Sequence, residues 1–164
     1  MRILGIDPGS EKSAVVIWDT DSETVELHSI IENERVLVGL RMHQFRPDEI
    51  GIEIPRGFGG KAGNEIYDTC IWSGRFDEAA KAHGYSSVLL GRKEIVTHLC
   101  DSSRAGDKDV REAIMYRFGG KVKAIGCKKD PGPLFGIKAD EGSALAVCLF
   151  LADREAERVR RAAI

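Results

Sequence analysis

Apolar residues gather in five short stretches and recur at helical spacing between and after them, and this pattern lays out the elements in order. Arg2–Asp7 (RILGID) reads as a buried strand that Pro8-Gly9 stops at Asp7. Residues 13–19 (SAVVIWD) and 24–31 (TVELHSII) are β-rich and are separated by the polar run 20–23, so the opening reads as a three-stranded antiparallel meander. The period then changes. Val36, Leu37, Leu40 and Phe45 predict a helix over 34–45, which Pro47 ends before a strand at Glu49–Ile54. Residues 55–63 (PRGFGGKAG) hold five glycines or prolines and predict a mobile loop. Beyond it the pattern predicts a long helix over 64–83 closed by Gly84, a strand at 86–90, helices near 93–100 and 107–118, a Gly/Lys/Pro-rich loop over 119–133, and a last helix over 140–159 with an arginine-rich end.

Three antiparallel strands followed by helix, strand, helix, strand and C-terminal helices predict an α/β fold: a mixed five-stranded sheet flanked by helices. This is the order of the RNase H-like architecture, with the first strand central and the fourth beside it. At 164 residues the whole chain, 1–164, is expected to form a single RNase H-like domain.

Composition narrows the setting. With 43% hydrophobic and 30% charged residues the chain falls among globular proteins. No apolar stretch approaches the roughly 20 residues of a bilayer span, and no apolar leader follows a basic start, so no membrane partner is expected. Cys70, Cys100, Cys127 and Cys148 are scattered without a C-x-x-C pair, which argues for buried or half-buried free thiols in a reducing cytoplasm and against zinc.

The net charge of −2 hides an uneven distribution. Residues 92–129 carry ten Lys/Arg against five Asp/Glu, a local +5, and leave the remainder at −7. A flank of this kind, with Arg104, Lys108, Lys121 and Lys123 in it, can meet phosphates or can be an ordinary solvated face.

Three acids stand at element boundaries: Asp7 ends the first strand, Glu53 ends the fourth, and Asp140 opens the last helix. Singly, each has a structural explanation, as a turn residue, a partnered strand-end acid or a helix cap. Jointly, with the first and fourth strands adjacent, they would meet at one sheet edge. Carboxylates brought together raise each other's pKa unless a cation neutralises them. Hard oxygen donors select Mg²⁺ or Mn²⁺, and two such ions can activate water and stabilise the leaving oxygen in phosphodiester hydrolysis.

Gly5-Ile6-Asp7-Pro8-Gly9-Ser10, Ile52-Glu53-Ile54-Pro55, the segment Arg104-Ala105-Gly106-Asp107-Lys108-Asp109-Val110, and Asp140 followed by Ala144-Leu145-Ala146-Val147 together resemble the RuvC family of Holliday-junction resolvases, in particular its small phage-type members. The resemblance spans nearly the whole chain. It implies a crossover-junction endodeoxyribonuclease in which Asp7, Glu53 and Asp140 bind two Mg²⁺ or Mn²⁺ ions per active site and Lys108 reaches a phosphate near the scissile bond. The family has a second Asp one turn into the last helix where this chain has Ser143, so Glu141 or water takes that ligand position, or three carboxylates suffice. In relatives the glycine-rich loop carries an aromatic that stacks on bases of the opened junction. Phe58 is the available candidate here, in a register that is not identical to theirs, with Arg56 and Lys61 beside it for phosphates; the alternative is a Phe58 folded back onto the following helix. A four-way junction has two symmetric cleavage points, so a homodimer is expected, with the long helix after the loop at its interface and no small-molecule cofactor.

Other readings divide by residue. Gly59-Gly60-Lys61 lacks the Gly and the Ser/Thr of a phosphate-binding P-loop, which would stand at Pro55 and Ala62. The first ten residues also resemble sugar kinases and actin-like ATPases, which need two such lobes. Two alternatives stay open: an RNase H-like nuclease acting on RNA or an RNA–DNA hybrid with the same acids, and a non-catalytic branched-DNA-binding module.

Overall fold

The computed structural model describes residues 1–56 and 63–163. Five strands, β1 (Arg2–Asp7), β2 (Lys12–Asp19), β3 (Thr24–Glu32), β4 (Glu49–Ile54) and β5 (Ser86–Gly91), form one sheet in the order β3-β2-β1-β4-β5. The first three are antiparallel, and β4 and β5 run parallel to β1. Around the sheet lie α1 (Asn33–Arg41), α2 (Asn64–Ala82), α3 (Arg92–Cys100), α4 (Asp107–Arg117), α5 (Lys121–Ile125) and α6 (Ala139–Ala162), with a two-residue pairing of β6 (Gly126–Cys127) and β7 (Asp130–Pro131) between α5 and α6. No described helix is long and apolar enough to cross a membrane.

Strand alternation divides the apolar residues between two cores, because successive side chains leave opposite faces of a sheet. Ile3, Ala14, Val16 and Trp18 face α3, α4 and α6, where they meet Ile95, Ile114, Leu145 and Leu149. Leu4, Ile6, Val15, Ile17, Ile50 and Ile52 face α1 and α2, where Leu37, Leu40 and Phe76 cover them. The near-continuous apolar runs of β1 and β2 follow from this burial on both sides.

Helix α6 lies on the sheet over a pair of glycines. Gly5 of β1 and Gly51 of β4 are register partners, and both belong to the alternation that faces α6. A Cβ at Gly5 would run into the Ala144 carbonyl and the Cys148 sulfur, and one at Gly51 into the ends of Val147 and Leu151. The Cys148 thiol, fully buried here, donates to the carbonyls of Ile3 and Val16 at 3.6 Å each, and burial pushes its pKa up, so it packs as an inert small residue. Further along α6, Asp153 accepts both Arg117 guanidinium nitrogens of α4 (2.8 and 2.9 Å) and pairs with His98 Nε2 of α3 at 2.8 Å, tying three helices together.

Several elements differ from their sequence-based limits. Helix α1 stops at Arg41 rather than at residue 45, because His43 and Arg46 take positive φ (51° and 48°) and Phe45 folds back onto Gly39. The expected loop 119–133 contains α5 and the β6–β7 pairing. Gly119 and Gly120, both at positive φ, turn the chain out of α4, and buried Ala124 anchors α5 while its carbonyl accepts the Leu134 N–H at 2.8 Å. Helix α6 begins at Ala139 and runs past residue 159 to Ala162. All four cysteines are free, as expected, but Cys127 is exposed on β6 and not buried. Six residues of the expected mobile loop, 57–62, lie outside the described residues.

The glycine pair gives a graded prediction. Gly5→Ala should lose about 3 kcal/mol in urea unfolding, because backbone blocks the new methyl, whereas Gly51→Ala should lose only about 1, because flexible side-chain ends can move aside. Equal losses would contradict this seating of α6.

Candidate functional site

Parity and register place two of the acids. Ile6 and Ile52 are the last register partners of β1 and β4, so Asp7 and Glu53 are the next residues on neighbouring parallel strands. Two positions after Gly5 and Gly51, they share the face that α6 covers. Asp140, in the first turn of α6, reaches the same end because that helix is seated on the two glycines. The turn after Asp7 is held by Asn33, whose amide donates to the Gly9 carbonyl at 2.9 Å and whose Oδ1 accepts the buried Ser13 hydroxyl at 2.6 Å. Ser73 of α2 donates to the Glu53 carbonyl at 3.1 Å and fixes the end of β4.

The other acids lie within electrostatic reach of Asp7. The Asp7 carboxyl is pushed up to about 7, first by burial, then by Glu53, with Asp140 and Asp107 adding to the rise and Arg92 opposing it. Glu53 is 8% exposed and is also raised, by burial, against the pull of Arg92. Arg92, the first residue of α3, sets one guanidinium nitrogen 3.3 and 3.5 Å from the two Glu53 oxygens and the other on Asp107 of α4. Three acids from three elements, Glu53, Asp107 and Asp7, therefore act on one arginine, and Asp140 of a fourth element acts on Asp7.

Every donor in this cluster is a carboxylate oxygen, a set that suits a hard divalent cation, and the crowding at Asp7 is the kind that such a cation relieves. Among the described residues, no three His, Cys, Asp or Glu side chains converge closely enough to hold one ion as they stand. The cation at the cluster in this arrangement is Arg92. Glu141, expected as a possible stand-in ligand, is committed elsewhere: one oxygen pairs with His28 Nδ1 at 3.0 Å, and the other accepts the Lys138 N–H at 2.7 Å.

The remaining sequence-predicted residues lie around this centre. Lys108, in the first turn of α4, is 87% exposed, 3.8 Å from Glu112, and lines a cleft together with Asp140 and Ser143. Arg56 packs its stem against Gly91 and points a guanidinium nitrogen toward the Leu89 carbonyl, 3.5 Å away. Arg104, Lys121 and Lys123 are exposed. Phe58 and Lys61 lie outside the described residues. Two of the ten bases counted toward a phosphate-facing flank turn inward instead, Arg92 onto Glu53 and Asp107, and Arg117 onto Asp153.

Sequence reasoning did not single out Asp107, Arg92 or Asn33. Asp107 carried a usable signal, since it precedes Lys108 at a helix start within a motif already marked. Arg92 and Asn33 carried none beyond opening a helix.

The chain is similar in structure to a Thermus thermophilus RuvC structure, with a TM-score of 0.66 and 18% identity over 92% of each chain. It is likewise similar to T. thermophilus RuvC in complex with Holliday junction substrate, with a TM-score of 0.64 and 19% identity over 92% of each chain. No family model and no curated protein sequence matches it. The fold is RuvC-like, within the α/β RNase H-like class.

Two predictions follow from the charges. Because the folded state raises Asp7 from its ordinary 3.8 to about 7, it binds the proton more tightly than the unfolded chain, and the metal-free protein loses stability as pH rises from about 4 through 7. That rise corresponds to about 4 kcal/mol, which partial exposure cuts to roughly 2. Asp7→Asn should recover this at pH 8 and flatten the pH dependence of urea midpoints, and an unchanged profile would refute the crowding. Arg92→Gln should cost about 2 kcal/mol at pH 8, less at low pH where Glu53 takes a proton, in the same measurement.

Proposed function

We infer that this chain is a divalent-metal-dependent, structure-specific endonuclease that hydrolyses DNA phosphodiester bonds at four-way junctions or other branches. The observation that carries this reading is the meeting of Asp7, Glu53 and Asp140 at one sheet end, in a fold it shares with a RuvC–Holliday junction complex. Asp7, Glu53 and Asp140 are the residues that would hold Mg²⁺ or Mn²⁺. When bound, such ions lower the pKa of water and offset charge on the departing oxygen. The chain's own groups do the rest. Asp7, ionised only with difficulty when no cation neutralises its neighbours, takes its working charge state as the site loads. Lys108, exposed beside Asp140, holds the phosphate in place, and the exposed bases Arg104, Lys121 and Lys123 extend that contact along the backbone.

Assembly as a homodimer is part of the proposal, since two cuts related by symmetry need two sites. Tyr67 and Ile71, one turn apart on α2 and 60% and 59% exposed, support an interface on that helix. Four free cysteines accord with a reducing cytoplasm.

A second reading, a branched-DNA-binding module that does not cut, is favoured by one observation: Arg92 already neutralises Glu53 and Asp107. One experiment separates the two. A mobile synthetic four-way junction, duplex, single strand and RNA–DNA hybrid are incubated with the protein and Mg²⁺ or Mn²⁺. Paired symmetric nicks confined to the junction, lost in Asp7→Asn while salt-sensitive binding persists, are expected. Cutting of the hybrid alone would replace the substrate, and binding without any cutting would establish the module.

A further inference from the structure

A cleft of about 270 Å³ opens directly beside the acids, between α4, the segment 125–139 and the start of α6. Its floor and walls are apolar: Val110, Ile114, Leu134 and Leu145 are buried, and Met115 and Ile137 are half-buried. Its rim is charged, with Arg92, Lys108, Arg111 and Lys138 against Asp107 and Asp140. Its apolar lining gives water few hydrogen-bonding partners, so an apolar group entering it displaces water at little cost. An engineered apolar cavity of about 150 Å³ accepts a benzene ring, so this one has room for a single larger flat heterocycle. It is too small for much more, since pockets for drug-sized ligands start at roughly 300 Å³.

Apolar walls below a rim of net positive charge, next to the acids, suit a nucleobase below, joined through its sugar to phosphates at the rim. We propose that this cleft takes a nucleobase turned out of the DNA stack next to the phosphate at Asp140 and Lys108. The proposal rests on the nuclease reading above. At a branch point, bases are already partly unstacked, which lowers the cost of turning one out. Ser143, which lines the cleft, offers both a donor and an acceptor to the base edge, so the cleft also gives the site a means of preferring one base over another. Such a base is read away from the duplex grooves.

Gly142 makes the cleft testable. It lines the cleft from within α6, and a Cβ built there meets nothing within 4 Å. Gly142→Phe therefore starts a large side chain from open space at the cleft, and Gly142→Leu a smaller one; both sit in a helix, where replacing glycine favours folding. The probe is a four-way junction carrying 2-aminopurine, one position at a time, within two nucleotides of the crossover, bound to Asp7→Asn protein so that nothing is cut. Fluorescence anisotropy gives the junction affinity, and 2-aminopurine emission reports unstacking.

With Gly142 present, emission at one position should rise several-fold on binding. The rise should shrink in Gly142→Leu and vanish in Gly142→Phe, with thermal midpoints no lower than the parent's. Removing the base at that position should make the parent and Gly142→Phe bind with equal affinity. Junction binding with emission unchanged at every position, or with the same rise in Gly142→Phe, overturns the cleft as a base site and leaves the nuclease reading standing. Failure of the parent to bind any junction overturns both.

Discussion

The contact between α6 and the bare backbone of two paired glycines sets the geometry on which the rest of the site depends. Without side chains at Gly5 and Gly51, the helix settles onto the two central strands, and its first turn reaches the strand ends where Asp7 and Glu53 stand. Any side chain at Gly5 would lift the helix off the sheet. The same closeness brings the Cys148 thiol within reach of strand carbonyls and buries it beyond chemistry. One steric permission, granted twice at the same register, thus aligns three chain-distant acids.

That alignment has an electrostatic cost, and the molecule shows where it is met. Asp7 is raised to about 7 because burial and three neighbouring acids oppose its charge. Arg92 offsets part of this at Glu53 and Asp107. It stands at the junction of β5 and α3, so the strand that completes the parallel half of the sheet also delivers the counter-charge. The acids and their arginine come from five different elements, which makes the cluster a property of the assembled fold and of no single segment.

The sheet order was legible because it is written in local patterns: the polar gap at 20–23, the switch from a two-residue to a 3.6-residue period at α1, and the Pro-Gly stop after Asp7. The three acids were legible for the same reason, each sitting at a boundary the pattern already marked. What was not legible depends on partners far apart in the chain. Arg92 counted as a surface base until the fold placed it against Glu53, 39 residues away. Glu141 counted as a spare ligand until His28 of β3 claimed it across 113 residues. Phe45 kept helical spacing yet left the helix, because its ring packs back on Gly39. The hollow beside Asp140 has no sequence signature, since the residues lining it come from several helices and the loop before α6 and share no local pattern.

The ion cluster at Asp153 has a mechanical meaning. Asp153 lies thirteen residues along α6 from Asp140, about 20 Å at helical rise, and it binds α3 and α4 to that helix through His98 and Arg117. Helix α4, which carries Lys108 and Arg111 at its exposed end, is thereby latched at its other end to the lever on which Asp140 sits. Moving α4 therefore means breaking the Asp153 pairs or carrying α6 along, so the exposed bases of α4 and the helix that bears Asp140 share one mounting.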